Sequence, residues 1–198
     1  MNQQMITGEK YMEQNSKQLL EAQIRECYGR VVWSHKTQEK CADIILKRNN
    51  WLKWLQIILS TLTTTGLVVT IFGDVLWVKV ISAIVSAALL LLNTYLKSKD
   101  LGAIAQQHSD AAADIWNVRE SYLSILTDLK MDDANVELIR KRRDKLQEQL
   151  AVIYKGSPRT ISKAYNEAKK ALKLNEEMTF SDEEIDCFLP VELRKTKK

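Results

Sequence analysis

Apolar residues return every three or four positions along nearly the whole chain, and two stretches lose almost all charge, so the pattern is helical from one end to the other. Trp54 to Phe72 reads WLQIILSTLTTTGLVVTIF, nineteen residues without a charge. As a helix rising ~1.5 Å per residue it spans roughly the hydrocarbon thickness of a bilayer. Val75 to Leu96 follows, with Lys79 as its only charge, near enough to the start to snorkel outward. Only Gly73 and Asp74 lie between, so the two helices turn back tightly and pack antiparallel as a transmembrane hairpin. A buried hairpin inside a soluble protein competes with this reading, but it needs a far larger soluble shell than 198 residues provide.

Downstream, Leu101, Ile104, His108, Ala111, Ile115, Val118, Tyr122, Ile125 and Leu129 form an unbroken heptad seam. It starts so soon after the second apolar stretch that one long helix is expected to run through both. Asp132, Asp133 and Asn135 mark a break. Val136, Ile139, Leu146, Leu150 and Ile153 predict a helix from about Asp133 to Tyr154 that folds back on the seam, ended by Gly156. Ser157 and Pro158 read as the N-cap and first turn of a third helix reaching Leu174. Ahead of the membrane, Leu20, Ile24, Cys27, Val31, Cys41 and Ile45 keep heptad-like spacing and offer the seam a partner.

The predicted organisation is an amino-terminal cytoplasmic helix over 1–50, a hairpin over 51–97 with spans 54–72 and 75–96, a helical bundle over 98–175, and a short helix with a basic tail over 176–198. Six glycines and two prolines leave few turns and no room for a hairpin-rich sheet, which makes the fold class all-α, a membrane protein with a coiled-coil-like bundle. Lys47, Arg48 and Lys53 before the first span and Lys97 and Lys99 after the second place both termini in the cytoplasm by the positive-inside rule. Trp51, Trp54, Trp77 and Tyr95 sit at the span ends, where amphipathic rings favour the headgroup layer. The expected location is the inner membrane, with no cleavable signal peptide.

Each span carries a polar side. Lys79, Ser82, Ser86 and Asn93 share a stripe on the second; Gln56, Ser60, Thr63 and Thr70 share a face on the first, with Thr64 at its margin. Such residues are costly in lipid. They serve either hairpin packing or, if several hairpins assemble into a ring, the lining of a conducting path. The run Arg140, Lys141, Arg142, Arg143 and Lys145 reads either as a solvated helix face beside Glu137, Asp144 and Glu148 or as a contact for phosphate or anionic lipid.

The formal charge of +4 gives no dense basic face, so direct nucleic-acid binding is not expected. Cys27, Cys41 and Cys187 show no metal or redox spacing, and His35 and His108 fall near the seams, so no metal and no cofactor is expected. Without a glycine-rich phosphate loop, a nucleophile elbow or paired carboxylates, the chain is not expected to be an enzyme.

Tyr28, Trp33, His35 and Lys36 lie within CYGRVVWSHKTQEKCADIILKRNNWLKW, from Cys27 to Trp54, and GSPRTISKAYNEAKKAL runs from Gly156 to Leu172. With the tight hairpin between them, these segments make the chain resemble the SLATT domain family, two-transmembrane effector domains of bacterial conflict systems, over about residues 15–175. The resemblance implies antiviral defence: an effector that oligomerises and opens a pore or otherwise breaches the inner membrane after infection is sensed, so that the cell dies or stops growing, as in abortive infection. It also implies a trigger, a nucleotide second messenger or a co-encoded sensor protein. The alternative is a membrane-anchored scaffold whose cytoplasmic helices dock a partner protein. A small transporter subunit is a third class, but the broken helices and repeated halves of such proteins are missing.

Overall fold

The computed structural model describes residues 2–73, 75–131 and 135–195, with side chains from residue 14 onward and without that of Phe72. Asp74 of the predicted turn, Asp132 and Asp133 of the predicted break, and the last three residues of the basic tail lie outside the described residues. The elements are α1 (Asn2–Phe72), α2 (Leu76–Ser98), α3 (Leu101–Lys130), α4 (Val136–Gly156), α5 (Ser162–Lys173), α6 (Asp182–Phe188) and a closing 3-10 turn (Val191–Leu193). No strand occurs among the described residues.

The 71-residue α1 is the spine of the fold. It contains no proline, and one seam runs along it without a change of phase. Steps of seven from Ile24 reach Val31, Gln38, Ile45, Leu52, Leu59 and Gly66; steps of seven from Tyr28 reach His35, Ala42, Asn49, Gln56, Thr63 and Thr70. Every one of these positions is buried or half-buried. A strict seven-residue repeat keeps one face on an antiparallel partner over many turns. The partner is first α3 and then α2. Lys17 Nζ donates to Met131 O at 2.9 Å, Gln38 faces His108, and Gly66 faces Ser82.

The return arm is not one helix, contrary to the expectation from sequence. Lys99 (φ −122°, ψ 78°) closes α2, and Asp100 caps α3 by accepting the Ala103 N–H at 2.9 Å. The reason is register. On α2 the half-buried row is Val78, Val85 and Leu92, which in steps of seven reaches Lys99; on α3 the row is Leu101, His108, Ile115, Tyr122 and Leu129. The rows are offset by two residues, and two residues turn a helix by roughly 200°. An unbroken helix would aim one row away from α1, and the break at Lys99 and Asp100 restores it.

Leu20, Ile24 and Val31 of α1, Ile115, Val118, Tyr122, Ile125 and Leu129 of α3, and Ile139 and Leu146 of α4 make the core of the bundle. One layer of it is polar. The ring of His108 is 2 % exposed, and its Nδ1 pairs with the Gln38 side-chain oxygen. Burial holds its pKa below the usual imidazole value. α4 folds back on α3, as the spacing predicts.

The third helix begins later than Ser157 and Pro158 imply. Ser157 instead ends α4, its hydroxyl donating to Ile153 O at 2.6 Å, because a residue before proline is pushed into extended backbone. Residues 158–161 run extended beside α1, where Pro158 O accepts from the Gln38 amide at 3.4 Å. α5 then lays Ala164, Ala168 and Ala171, all fully buried, against α1. α6 is capped at both groups of a Ser181 and Glu184 box.

Candidate functional site

α1 from about Trp54 and α2 contain the windows long and apolar enough to cross a membrane, and neither window is buried inside the protein. Core helices of soluble proteins show the opposite, since their apolar residues are covered by their own chain. Trp51, Trp54 and Trp77 are exposed at the ends of these windows.

Within the hairpin the half-buried row of α1 (Leu52, Leu59, Thr63, Gly66, Thr70) faces that of α2 (Val78, Ser82, Val85, Leu89, Leu96). Leucines fill the end near the bundle; Thr63, Gly66, Thr70 and Ser82, with Val78 and Val85, fill the end near the turn. The backbones come closest at Gly66, where an added Cβ would collide with the Ser82 hydroxyl and sit 3.2 Å from the Ser82 Cβ. Small residues permit such approach between membrane helices. Gly66→Leu is therefore expected to push the helices apart and lower the thermal midpoint of the detergent-solubilised protein by several degrees, whereas Gly66→Ala, for which a turn of the Ser82 side chain removes the hydroxyl clash and leaves only the 3.2 Å Cβ approach to be eased by a small backbone shift, lowers it less.

The polar residues of the two spans fall in four places, the first two overlapping. Ser82 and Thr63 pack in the hairpin contact. Thr63, Thr70, Lys79, Ser82 and Ser86 line a notch of about 350 Å³ beside that contact, with Leu67 and Ala83. Gln56 and Ser60 line a second, open groove of about 660 Å³ along α1 with Lys53, Ile57, Thr61, Thr64 and Thr65. Asn93 is exposed near the opposite end of α2. The stripe on α2 is thus split: Ser82 turns into the contact with α1, Ser86 flanks that contact at the edge of the notch, and Asn93 is exposed.

Threonine adds less polarity than its count implies. Thr61, Thr63, Thr64 and Thr65 each donate to the carbonyl four residues back, at 2.8–3.0 Å, so their hydroxyl protons are already used within α1. The amides of Gln56 and Asn93 and the hydroxyls of Ser60 and Ser86 have no such bond among the described residues.

In the bundle, the residues that carry the family resemblance hold other elements to α1. Tyr28 and Trp116 stack on the Arg119 guanidinium, 5.8 and 4.3 Å from their ring centres. His35 Nδ1 donates to Ala112 O at 2.9 Å. Trp33 packs on Tyr165 of α5, ring centres 5.1 Å apart. Lys36 pairs with Glu177 beyond α5 at 2.8 Å, and this lysine keeps the Glu177 carboxyl below its usual pKa. Periodicity places only His35 near a seam, and Tyr28, Trp33 and Lys36 enter through the resemblance; their cross-helix roles depend on α3, α5 and the segment after α5.

The basic run on α4 is dispersed rather than gathered. Arg142 reaches Asp128 on α3 at 2.5 Å, Arg143 reaches Gln23 on α1 at 2.6 Å and its neighbour Asp144, and Lys141 lies 4.0 Å from Glu137. Arg140 and Lys145 face outward on a surface of mixed sign. Among the described residues no group of three or more His, Cys, Asp and Glu side chains is placed to hold a metal ion.

A family model matches residues 20–184, and its description is SMODS and SLOG-associating 2TM effector domain family 4. No curated protein and no solved structure matches the chain.

Proposed function

The chain belongs to the SMODS and SLOG-associating 2TM effector domain family 4, and on that premise we propose that it is a non-catalytic effector of a bacterial antiviral defence system that acts by assembling in the inner membrane and breaching it. The observation that carries this reading is the polar side of the hairpin. Asn93 of α2 is exposed beside the contact with α1, Ser86 stands at the edge of the notch that flanks it, and lipid would satisfy neither. Two helices do not enclose a channel, so the path requires several copies. The lysines and arginine beside the spans favour both termini in the cytoplasm, where a nucleotide second messenger or a co-encoded sensor would act on the bundle. The dispersal of the α4 basic run favours its solvated-face reading over a phosphate site.

The second reading keeps the hairpin as an anchor and gives the bundle to a partner protein; the exposed Leu123, Leu138 and Val152 on α3 and α4 favour it. Membrane potential separates the two. Expressed at controlled levels in bacteria, the wild-type chain is expected to depolarise cells, and Asn93→Leu and Ser86→Leu are expected to abolish this at equal membrane abundance. Intact potential at every level, with and without a candidate trigger, would leave the anchored scaffold ahead.

A further inference from the structure

The α1 groove and the outward residues of α2 belong to one side of the hairpin. Leu67 of α1, which lies on the helix between the directions of Ser60 and Thr63, lines the notch with Ala83 and Ser86 of α2. The side of α1 that continues toward Ser60 and Gln56 is thus the side on which α2 presents Ser86 and Asn93. Stepping antiparallel from the Gly66 and Ser82 contact brings Gln56 level with Leu92, one residue from Asn93. Two primary amides, one from each helix, therefore share a side and a depth.

We propose that this side of the hairpin is covered by the same side of a second copy of the chain. The argument is chemical complementarity. A primary amide is both donor and acceptor, so an amide pair can satisfy an identical amide pair. Copies inserted by the same rule share one orientation, which brings equal depths together. Among the described residues the groove is lined by α1 alone, while α2 takes the neighbouring seam of the α1 span and α3, α4 and α5 pack on α1 in the bundle. Lys53, at the bundle end of the groove, reaches headgroup phosphates at that level. The inference rests on the hairpin spanning a bilayer and not on its conducting ions: a same-side contact closes at two copies, so it covers Gln56 and Asn93 rather than lining a path with them, and any larger ring would be built from such pairs.

The test is oxidative cross-linking of the full-length chain in isolated bacterial membranes, with the wild type and its three native cysteines as baseline. Ser60→Cys and Asn93→Cys are expected to give a disulfide dimer several-fold above Ile58→Cys, whose side chain points out of the opposite side of α1. Gln56→Leu with Asn93→Leu, read through Ser60→Cys, is expected to weaken association on the order of tenfold. Equal yields from Ser60→Cys and Ile58→Cys, or baseline yields from both Ser60→Cys and Asn93→Cys in chains that have inserted, would overturn the proposal. Cross-linking without depolarisation would keep this contact and remove the conducting reading; depolarisation without cross-linking would do the reverse.

Discussion

Tyr122→Ala is expected to destabilise the helical bundle by about 3–5 kcal/mol, a large share of the roughly 5–15 kcal/mol that holds a typical domain together, whereas Tyr122→Phe is expected to leave it unchanged or slightly firmer. Tyr122 is fully buried where α3 meets α1 and α4, and losing its ring opens the largest cavity a single truncation of the core can make. The hydroxyl is a different matter. It has no nitrogen or oxygen partner, and its neighbour is the Cys27 thiol, a weak acceptor. Removing a buried hydroxyl that is poorly bonded in the folded state sacrifices little. Burial also pushes the phenol up to about 12 from its ordinary 10.0. The unfolded chain therefore loses this proton first, and the stability from keeping Tyr122 neutral is present below about pH 10 and fades as pH rises toward 12. Urea unfolding of wild type, Tyr122→Phe and Tyr122→Ala in detergent at neutral and alkaline pH checks all three statements: the phenylalanine variant should lack this alkaline decline.

The second large effect is expected where α1 crosses from bundle to membrane. Asn50→Pro should cost about 3 kcal/mol or more, because it removes a backbone hydrogen bond inside an uninterrupted helix and kinks it. Asp100→Pro, at nearly the same level on the return arm, should cost only about 1 kcal/mol, the value of the lost cap, because Asp100 already has φ −63° and stands in an existing break. If motion in the bundle reaches the hairpin, it travels along α1. Asn50→Pro should then eliminate depolarisation in chains that still reach the membrane, and Asp100→Pro should retain most of it. Equal loss from the two substitutions would place the coupling in the return arm instead.

Much of this architecture was legible in the sequence, because it rests on periodicity. The two uncharged stretches, the α3 seam and the return of α4 all follow from spacing within a segment. The break at Lys99 and Asp100 depends on comparing phase across segments: the rows ending at Leu92 and starting at Leu101 each look regular alone, and only their two-residue offset demands an interruption. The start of α5 was missed for a local reason. Ser157 and Pro158 fit a helix start, yet the same proline equally ends the helix before it, and the burial of Ala164, Ala168 and Ala171 decided where the next one begins. Within the hairpin, composition located the polar residues but not their directions. Ser82 differs from Ser86 and Asn93 by a modest rotation, and the opposing Gly66 is what draws Ser82 into the contact.

The pairing of Lys17 with Met131 and of Gly66 with Ser82 also dictates an order of assembly. On the ribosome the hairpin can close early, since Gly66 and Ser82 are 16 residues apart, while the first turns of the bundle must wait for a partner more than a hundred residues away. At synthesis rates of about 5–20 residues per second, Leu20, Ile24 and Val31 spend on the order of ten seconds with an apolar row uncovered. The hairpin can thus close before the bundle can form. In a chain that inserts by its two apolar helices, α1 would then stand unpaired beyond a closed hairpin until α3 is made, and the bundle would form against it afterwards.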